Sequence, residues 1–454
     1  MRCRRGGQIR FDLPSLDGTL HLARRAAPDD YEKAPATMSE ILRPFNIMAK
    51  PVCGVCNLDC RYCYYTMKPK ELYPGVEHFM MPEPVLARYT RQYLEAMPVQ
   101  ATFGWQGGEP LLAGKEFFRR AVALQAEFGR DGQQIANAMQ TNGTLIDDEW
   151  AALFAEHKFL VGISLDGPAE WHDAFRRDHA GEPTFHRAWA GLERLRARGV
   201  EFNVLVTLNA RNAPHAGDIY RYFVNRGVRW LQFIPILETD AAGRPRDFSC
   251  TGEQFGRFML DVFDLWARRD VGVVSERLID SVLHTIVHGQ AALCCNAERC
   301  ANSHVLEFNG DLYACDHFVF AEWRIGNIMD TPLADLVRSP RLEAFAALKT
   351  DLPAACRDCE YLAYCNGGCP KHHLPSAATG DPDRVNHFCE GYRMFFREAL
   401  PELKRIAESL RRGDPPAPAA SRAPAAAGDG AAPRRNAPCP CGSGRKYKHC
   451  CGRR

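Results

Sequence analysis

The chain has 454 residues, 46% of them hydrophobic and 25% charged, enough to bury one large core and carry smaller appendages. With 57 basic against 55 acidic residues the net charge is only +2, so no overall field grips DNA or an anionic membrane. Neither Arg4-Arg5 nor Arg24-Arg25 leads into the apolar stretch of a secretory signal, and no apolar run is long enough to span a membrane, so the protein is expected in the cytoplasm.

Residues 1–40 mix charge, Pro and Gly without a period and read as an irregular extension. Over 41–285, short apolar runs alternate with stretches of helical composition, the pattern of strand-helix units around a parallel sheet. Strands are expected at 45–49, 102–105, 135–140, 160–164, 202–207 and 230–234, with helices at 84–97, 115–128, 147–157, 184–198 and 214–226 between them. Six such units make an α/β fold, a partial (β/α)6 barrel of the TIM type. A long helix is expected around 253–269; beyond it, 286–400 is dense in cysteine and short of apolar runs, so metal has to define its core. The stretch 401–433 reads as the end of a helix followed by a flexible linker (GDPPAPAASRAPAAAGDGAAP), and 434–454 as a small Cys-rich tail.

Fifteen of the 19 cysteines fall into three groups with short fixed gaps, leaving Cys3, Cys53, Cys250 and Cys295. In a reducing compartment, thiols clustered this way hold metals rather than form a disulfide framework. Cys56, Cys60 and Cys63 stand in CNLDCRYCYY, a C-x3-C-x2-C spacing on the loop after the first strand, where barrels build their sites. Three thiolates can hold three irons of a cubane and leave the fourth iron open to a ligand. A structural zinc completed by Cys53 is the competing reading.

With Tyr62 before its third cysteine, this motif resembles the signature of the radical S-adenosylmethionine superfamily. The resemblance implies a 4Fe-4S cluster whose open iron is chelated by S-adenosylmethionine, and cleavage of that cofactor to a 5′-deoxyadenosyl radical. Tyr62 is carried among the cofactor contacts. Gln106-Gly107-Gly108-Glu109-Pro110, after the second strand, matches the family's GGEP motif, whose backbone and Glu meet the methionine amino group; glycine permits so close an approach. Asn142 in Thr141-Asn142-Gly143 looks like a further contact, as do Ser164 and Asp166 in Ser164-Leu165-Asp166-Gly167. A helix cap is the plainer reading of Asn142 or Ser164 taken alone. The family also places an arginine on the methionyl carboxylate; Arg176 and Arg187 both qualify, and Arg187 is carried among the expected contacts.

The second group runs Cys294, Cys300, Cys315, then Cys356, Cys359, Cys365, Cys369 and Cys389. Eight ligands suffice for two fully coordinated clusters, although four-thiolate sites suit zinc as well. The spacing resembles the SPASM domain. That family pattern implies one auxiliary 4Fe-4S cluster on Cys294, Cys300, Cys315 and Cys369 and another on Cys356, Cys359, Cys365 and Cys389, with Cys295 making the first assignment ambiguous. NGDLYACDHFV, NGGCPKH and CEGYRMFF resemble anaerobic sulfatase-maturating enzymes over roughly 41–400. These oxidise the Cys or Ser of a C/S-x-P-x-R segment in an unfolded or nascent sulfatase to formylglycine, drawing electrons from a donor such as flavodoxin or ferredoxin.

That chemistry needs a base beside an auxiliary cluster to take the thiol or hydroxyl proton. Asp316, after Cys315, matches it, and burial beside an anionic cluster is expected to raise its pKa; a turn-capping Asp is the plainer alternative. Tyr65 matches a family tyrosine near the substrate, where a packed aromatic is the alternative. In the tail, Cys439, Cys441, Cys450 and Cys451 within RNAPCPCGSGRKYKHCCG resemble the SEC-C zinc module, with Arg445, Lys446 and Lys448 giving a positive surface for an acidic partner, the ribosome or the secretion machinery. Two other functions compete: a SPASM enzyme forming thioethers or epimerising residues in a small peptide, and a non-catalytic iron-sulfur carrier.

Overall fold

The computed structural model describes residues 44–300, 303–374, 385–414, 436 and 446–449. The extension at 1–40, most of the linker and the four tail cysteines lie outside the described residues.

Six strands, β1 (Asn46–Lys50), β2 (Gln100–Trp105), β3 (Gln134–Thr141), β4 (Leu160–Ser164), β5 (Phe202–Leu208) and β6 (Trp230–Pro235), pair in parallel and in chain order. The connecting helices are α1 (Glu83–Ala96), α2 (Lys115–Phe128), α3 (Asp148–Glu156), α4 (Phe185–Ala197) and α5 (Ala216–Val224). Parallel strands covered on both faces carry near-continuous apolar runs; every residue of β4 is buried, for that reason. Asp147 stops the chain from entering α3 earlier: its carboxylate accepts the Trp150 N–H at 2.8 Å and satisfies one of the helix's orphan donors. The fold class is thus the expected α/β arrangement, and the barrel is partial, an open sheet and not a closed ring.

The cysteine-rich segment adds to that sheet. The strand β7 (Ser275–Glu276) extends it beyond β6, while on the other side β8 (Ser303–Glu307) pairs in parallel with β1 and is followed by antiparallel β9 (Asp311–Tyr313) and β10 (Arg324–Asn327). None of these four strands stands out in the sequence, because each is short and broken by polar residues. The β1–β8 register sets Lys50 opposite Glu307, and this places the auxiliary cysteines near the cluster loop.

Metal is not the only thing defining the core of this segment. After α6 (Gly252–Arg269) and α7 (Arg277–His288), the last helix α8 (Cys389–Arg412) lies along α6. The two backbones touch at glycines: a Cβ on Gly391 would stand 2.2 Å from the Gly252 carbonyl oxygen, and one on Gly256 2.7 Å from the Gly391 Cα. Phe388, Tyr392, Phe395 and Leu403 of this region join the same buried cluster as the barrel core. Among the described residues no helix is long and apolar enough to cross a membrane.

Candidate active site

Cys56, Cys60 and Cys63 occupy the loop that leaves the C-terminal end of β1. The Cys56 Sγ accepts the Leu58 N–H at 3.4 Å and the Asn142 Nδ2 at 3.7 Å. Burial pushes Cys56 up to about 11 and Cys60 up to about 12, and the other thiols of the loop add to it, while Arg176 pulls Cys60 back. Thiols this reluctant to ionise become thiolates on a cationic metal, and N–H groups aimed at sulfur suit a thiolate-held iron cluster. The donor set therefore fits the expected group. Cys53 does not join it: fully buried, in the left-handed region at φ +52°, it turns its thiol to Glu307, which removes the fourth ligand of the zinc alternative.

The next three strand ends converge on this loop. Gly107 (φ +99°) and Gly108 (φ +52°) need to be glycine, since a Cβ on Gly107 would meet the Lys50 side chain at 2.1 Å and one on Gly108 the Val55 carbonyl oxygen at 1.9 Å. The Gln106 N–H donates to the Ala49 carbonyl at 3.0 Å and so ties the motif to β1. Glu109 is fully buried and accepts from the Thr141 hydroxyl (2.8 Å), the Asn142 N–H (2.8 Å) and the Leu111 N–H (3.1 Å). Burial pushes its carboxyl up to about 7 against those donors. Glu109 thus fastens the GGEP loop to the end of β3. Asn142 also donates to Asn57 at 2.9 Å, a link to the cysteine loop that a simple helix cap lacks. Ser164 lies buried at the end of β4.

Asp166 has no exposed surface, and both its oxygens are taken: Oδ1 by the Thr207 N–H (2.9 Å), Oδ2 by the Arg176 Nε (3.0 Å) and the Tyr62 hydroxyl. Its side-chain partners within the protein are thus Tyr62, Arg176 and the Thr207 N–H. Tyr62 in turn is buried beneath the Arg176 guanidinium, 5.4 Å from its ring. Arg176 is buried behind Cys60, whereas Arg187 is 47% exposed and pairs with Asp178 at 2.7 Å on the outer side of the loop.

Asp316 sits where the two halves of the chain meet. Its Oδ1 is 2.5 Å from the Lys50 ammonium at the end of β1, and its Oδ2 accepts the Tyr64 hydroxyl at 2.5 Å, one residue beyond Cys63. Burial raises the Asp316 pKa, but Lys50, His317 and these two hydrogen bonds outweigh it, so the protein's own groups hold the carboxyl below its ordinary value. The expected rise rested on burial and an anionic cluster; Lys50, first among the protein's own groups, acts the other way. Glu307, the neighbour of Lys50 across the β1–β8 pair, is pushed up by burial against the pull of Tyr65 and Lys50. One buried cation thus faces two acids, and their environments shift them in opposite directions, Asp316 down and Glu307 up. Tyr65 is covered, its hydroxyl donating to Glu307 and its ring 4.2 Å from the Lys50 ammonium; the tyrosine that touches Asp316 is Tyr64.

Cys315 responds to the charges of Cys369 and Cys294, and Cys369 to those of Cys294 and Cys300, while Cys365 responds to Cys389 and Cys356, and Cys356 to Cys389 and Cys359. Half-buried Cys295 lies close to Cys294 and Cys369, and its charge also acts on Cys365. A zinc draws its sulfurs to about 2.3 Å from one point; among the described residues no three Cys, His, Asp or Glu side chains converge enough to hold one ion. His317 Nδ1 is 3.5 Å from the Cys369 Sγ, so the residues on both sides of Asp316 reach the first auxiliary set.

Lys50, Tyr64 and Glu307 are the site residues the sequence did not single out. The one available signal was a lysine closing an otherwise apolar strand, NIMAK, ahead of the cysteine loop.

The radical SAM superfamily model matches residues 51–223, that of the SPASM iron-sulfur cluster-binding domain 288–360 and that of the SEC-C motif 435–453. The chain is 37% identical to the serine-type anaerobic sulfatase-maturating enzyme of Bacteroides thetaiotaomicron, over 84% of this chain and 95% of that protein. It is 34% identical to the cysteine-type enzyme of Clostridium perfringens, over 81% of this chain and 100% of that protein. Its fold matches a solved structure described as native anSMEcpe with bound AdoMet and Cp18Cys peptide with a TM-score of 0.73, at 32% identity over 81% of this chain and 100% of that one.

Proposed function

The chain belongs to the anaerobic sulfatase-maturating enzymes, radical S-adenosylmethionine oxidoreductases with a SPASM domain, and from that premise we propose that Asp316 is its general base. The substrate in this reading is a sulfatase polypeptide, not yet folded, presenting the Cys or Ser of a C/S-x-P-x-R segment for oxidation to formylglycine. Cys56, Cys60 and Cys63 hold the cluster that binds S-adenosylmethionine. Cys294, Cys300, Cys315 and Cys369 hold one auxiliary cluster, and Cys356, Cys359, Cys365 and Cys389 the other. Zinc belongs to Cys439, Cys441, Cys450 and Cys451, on a tail that contacts the ribosome or the secretion machinery. A flavodoxin or ferredoxin supplies electrons in the cytoplasm.

When bound, these groups supply the radical that takes a hydrogen atom from the substrate Cβ and accept the electron left there. The protein's residues do the rest. The Gly107-Gly108 backbone and Arg176 hold the cofactor's polar end against the cysteine loop, with Asp166 and Glu109 fixing them from behind. Asp316 takes the remaining thiol or hydroxyl proton. A carboxylate kept ionised by Lys50 and Tyr64 is free to accept, and it need not be strongly basic, because an O–H or S–H next to a carbon radical is far more acidic than in the parent side chain.

The observation that carries the reading is the position of Asp316, bonded to Lys50 and Tyr64 beside the cofactor loop and one peptide bond from Cys315. Asp316→Asn should leave 5′-deoxyadenosine formation in place while formylglycine in a C/S-x-P-x-R peptide, read by mass spectrometry, drops by roughly two orders of magnitude or more. Formylglycine at the wild-type rate would remove Asp316 from the mechanism.

A further inference from the structure

Lys349 is a buried cation without an acidic partner among the described residues. It closes the short 3-10 turn Ala347–Lys349, is 3% exposed, and its ammonium donates to the carbonyl oxygens of Cys295 (2.7 Å) and Cys294 (3.3 Å). No carboxylate of the described residues pairs with it. An ammonium taken out of water against neutral carbonyls alone costs several kcal/mol, so such lysines are found paired with an anion.

Its surroundings identify the anion. The charge of Lys349 acts on Cys300 and Cys369 of the first auxiliary set, on Cys365 of the second, and on Cys295 between them. The two sets are stitched together at this point: the Asn296 Nδ2 donates to the Tyr364 carbonyl at 3.0 Å, and the Asn366 Nδ2 to the Asn296 carbonyl at 2.7 Å. The helix before Lys349, Pro340–Ala346, is anchored by Leu342 and Phe345 packing with Cys300 and Cys315, so the lysine cannot swing out to solvent.

We propose that Lys349 is the shared counter-ion of both auxiliary clusters and holds their reduction potentials up. The inference rests on the cysteine assignment made above. A cubane on four thiolates carries net negative charge and gains another on reduction, so a fixed buried cation beside it favours the reduced form. One lysine between two clusters raises both potentials and also lessens the repulsion between them when an electron arrives. Lys349 is in this sense an electrostatic residue, not a catalytic one, and Asp316 and its proton are not involved.

The test uses the full chain, reconstituted anaerobically with iron and sulfide, with Cys56, Cys60 and Cys63 all replaced by Ala so that only auxiliary clusters remain. Iron is counted first. Potentiometric titration followed by electron paramagnetic resonance then gives the auxiliary midpoints, without peptide or S-adenosylmethionine. Lys349→Met, and Lys349→Gln, which retains N–H donors for the two carbonyls, should keep eight irons while both midpoints fall by at least the equivalent of ten-fold in the one-electron equilibrium, about 59 mV. Lys349→Arg should restore them. Full iron with unmoved midpoints in the Gln variant overturns the counter-ion role and leaves the cysteine assignment standing. Fewer than eight irons in the parent that still carries Lys349 overturns the assignment instead.

Discussion

Replacing Lys50 by Met keeps the length of the side chain and removes its charge, which strands the Asp316 carboxylate. The ammonium is 1% exposed and 2.5 Å from Asp316, and the side chain packs on Gly107, so neither water nor another cation can take its place. Asp316 is the carboxylate in direct contact with that ammonium, and Lys50 is what lowers its pKa most, so the charge left without a partner is that of Asp316. Breaking a buried pair from one side costs about 3–5 kcal/mol. At the usual ~2.1 cal/mol/K of unfolding entropy per residue, that is a fall in Tm on the order of 4–6 °C for a folded unit of this size. Scanning calorimetry of the anaerobically reconstituted enzyme at one fixed scan rate measures it, since large cluster proteins unfold irreversibly. The decisive comparison is Lys50→Met with Asp316→Asn added. If the cost is the stranded charge, the second change returns at least about 1–3 kcal/mol of it. A single variant that melts within a degree of wild type, or a double variant whose loss equals the sum of the two singles, would show that the pair is not coupled.

Arg176→Ala should weaken S-adenosylmethionine binding roughly ten-fold or more, read as the concentration needed to perturb the resonance of the reduced cluster. Arg187→Ala, which breaks only a half-exposed pair with Asp178, should stay within about two-fold; the reverse ranking would return the carboxylate contact to Arg187. A separate prediction concerns pH. Burial pushes Asp280 from 3.8 and Glu276 from 4.5 up to about 7, and Asp280 adds to the shift of Glu276. The folded protein therefore keeps protons that the unfolded chain releases between about pH 4 and 7, so stability is highest below this window and falls through it by up to about 1.4 kcal/mol per pH unit for each group. Asp280→Asn should flatten the decline of Tm from pH 6 to pH 7.5, and gain most on wild type at the upper end. Parallel curves for the two proteins would contradict that ionisation cost.

The parts of the site that were legible in the sequence are those that local pattern dictates. Apolar runs of strand length gave β1 to β6, and the cysteine gaps with GGEP gave the loop chemistry, since adjacent ligands on one loop or turn depend on spacing alone. What the sequence could not show depends on pairing between distant segments. Arg176 and Arg187 are eleven positions apart and equally plausible as text; only the packing of Tyr62 on Phe175 and Arg176 decides which one turns inward. The pull of Lys50 on Asp316 was hidden for the same reason, because the two lie 266 positions apart.

The pairing of β8 with β1 joins these separate observations. Had the cysteine-rich segment packed onto the helices, its ligands could have served as a remote electron store with no fixed relation to the radical. Instead it extends the sheet at the strand that also bears the cofactor loop, in a register that sets Glu307 beside Lys50 and brings the turn after β9 over the same lysine. Lys50 then touches the GGEP glycine on one side and Asp316 on the other, so one side chain sets the spacing between that motif and the proposed base. The sheet is a stiff reference and the lysine a short one, and taking a hydrogen atom from a Cβ and a proton from its own thiol or hydroxyl would need that fixed spacing. On this argument the metal assembles the auxiliary segment, while strand pairing aims it. Loss of the auxiliary cysteines should therefore disturb electron acceptance before it displaces Asp316 from Lys50.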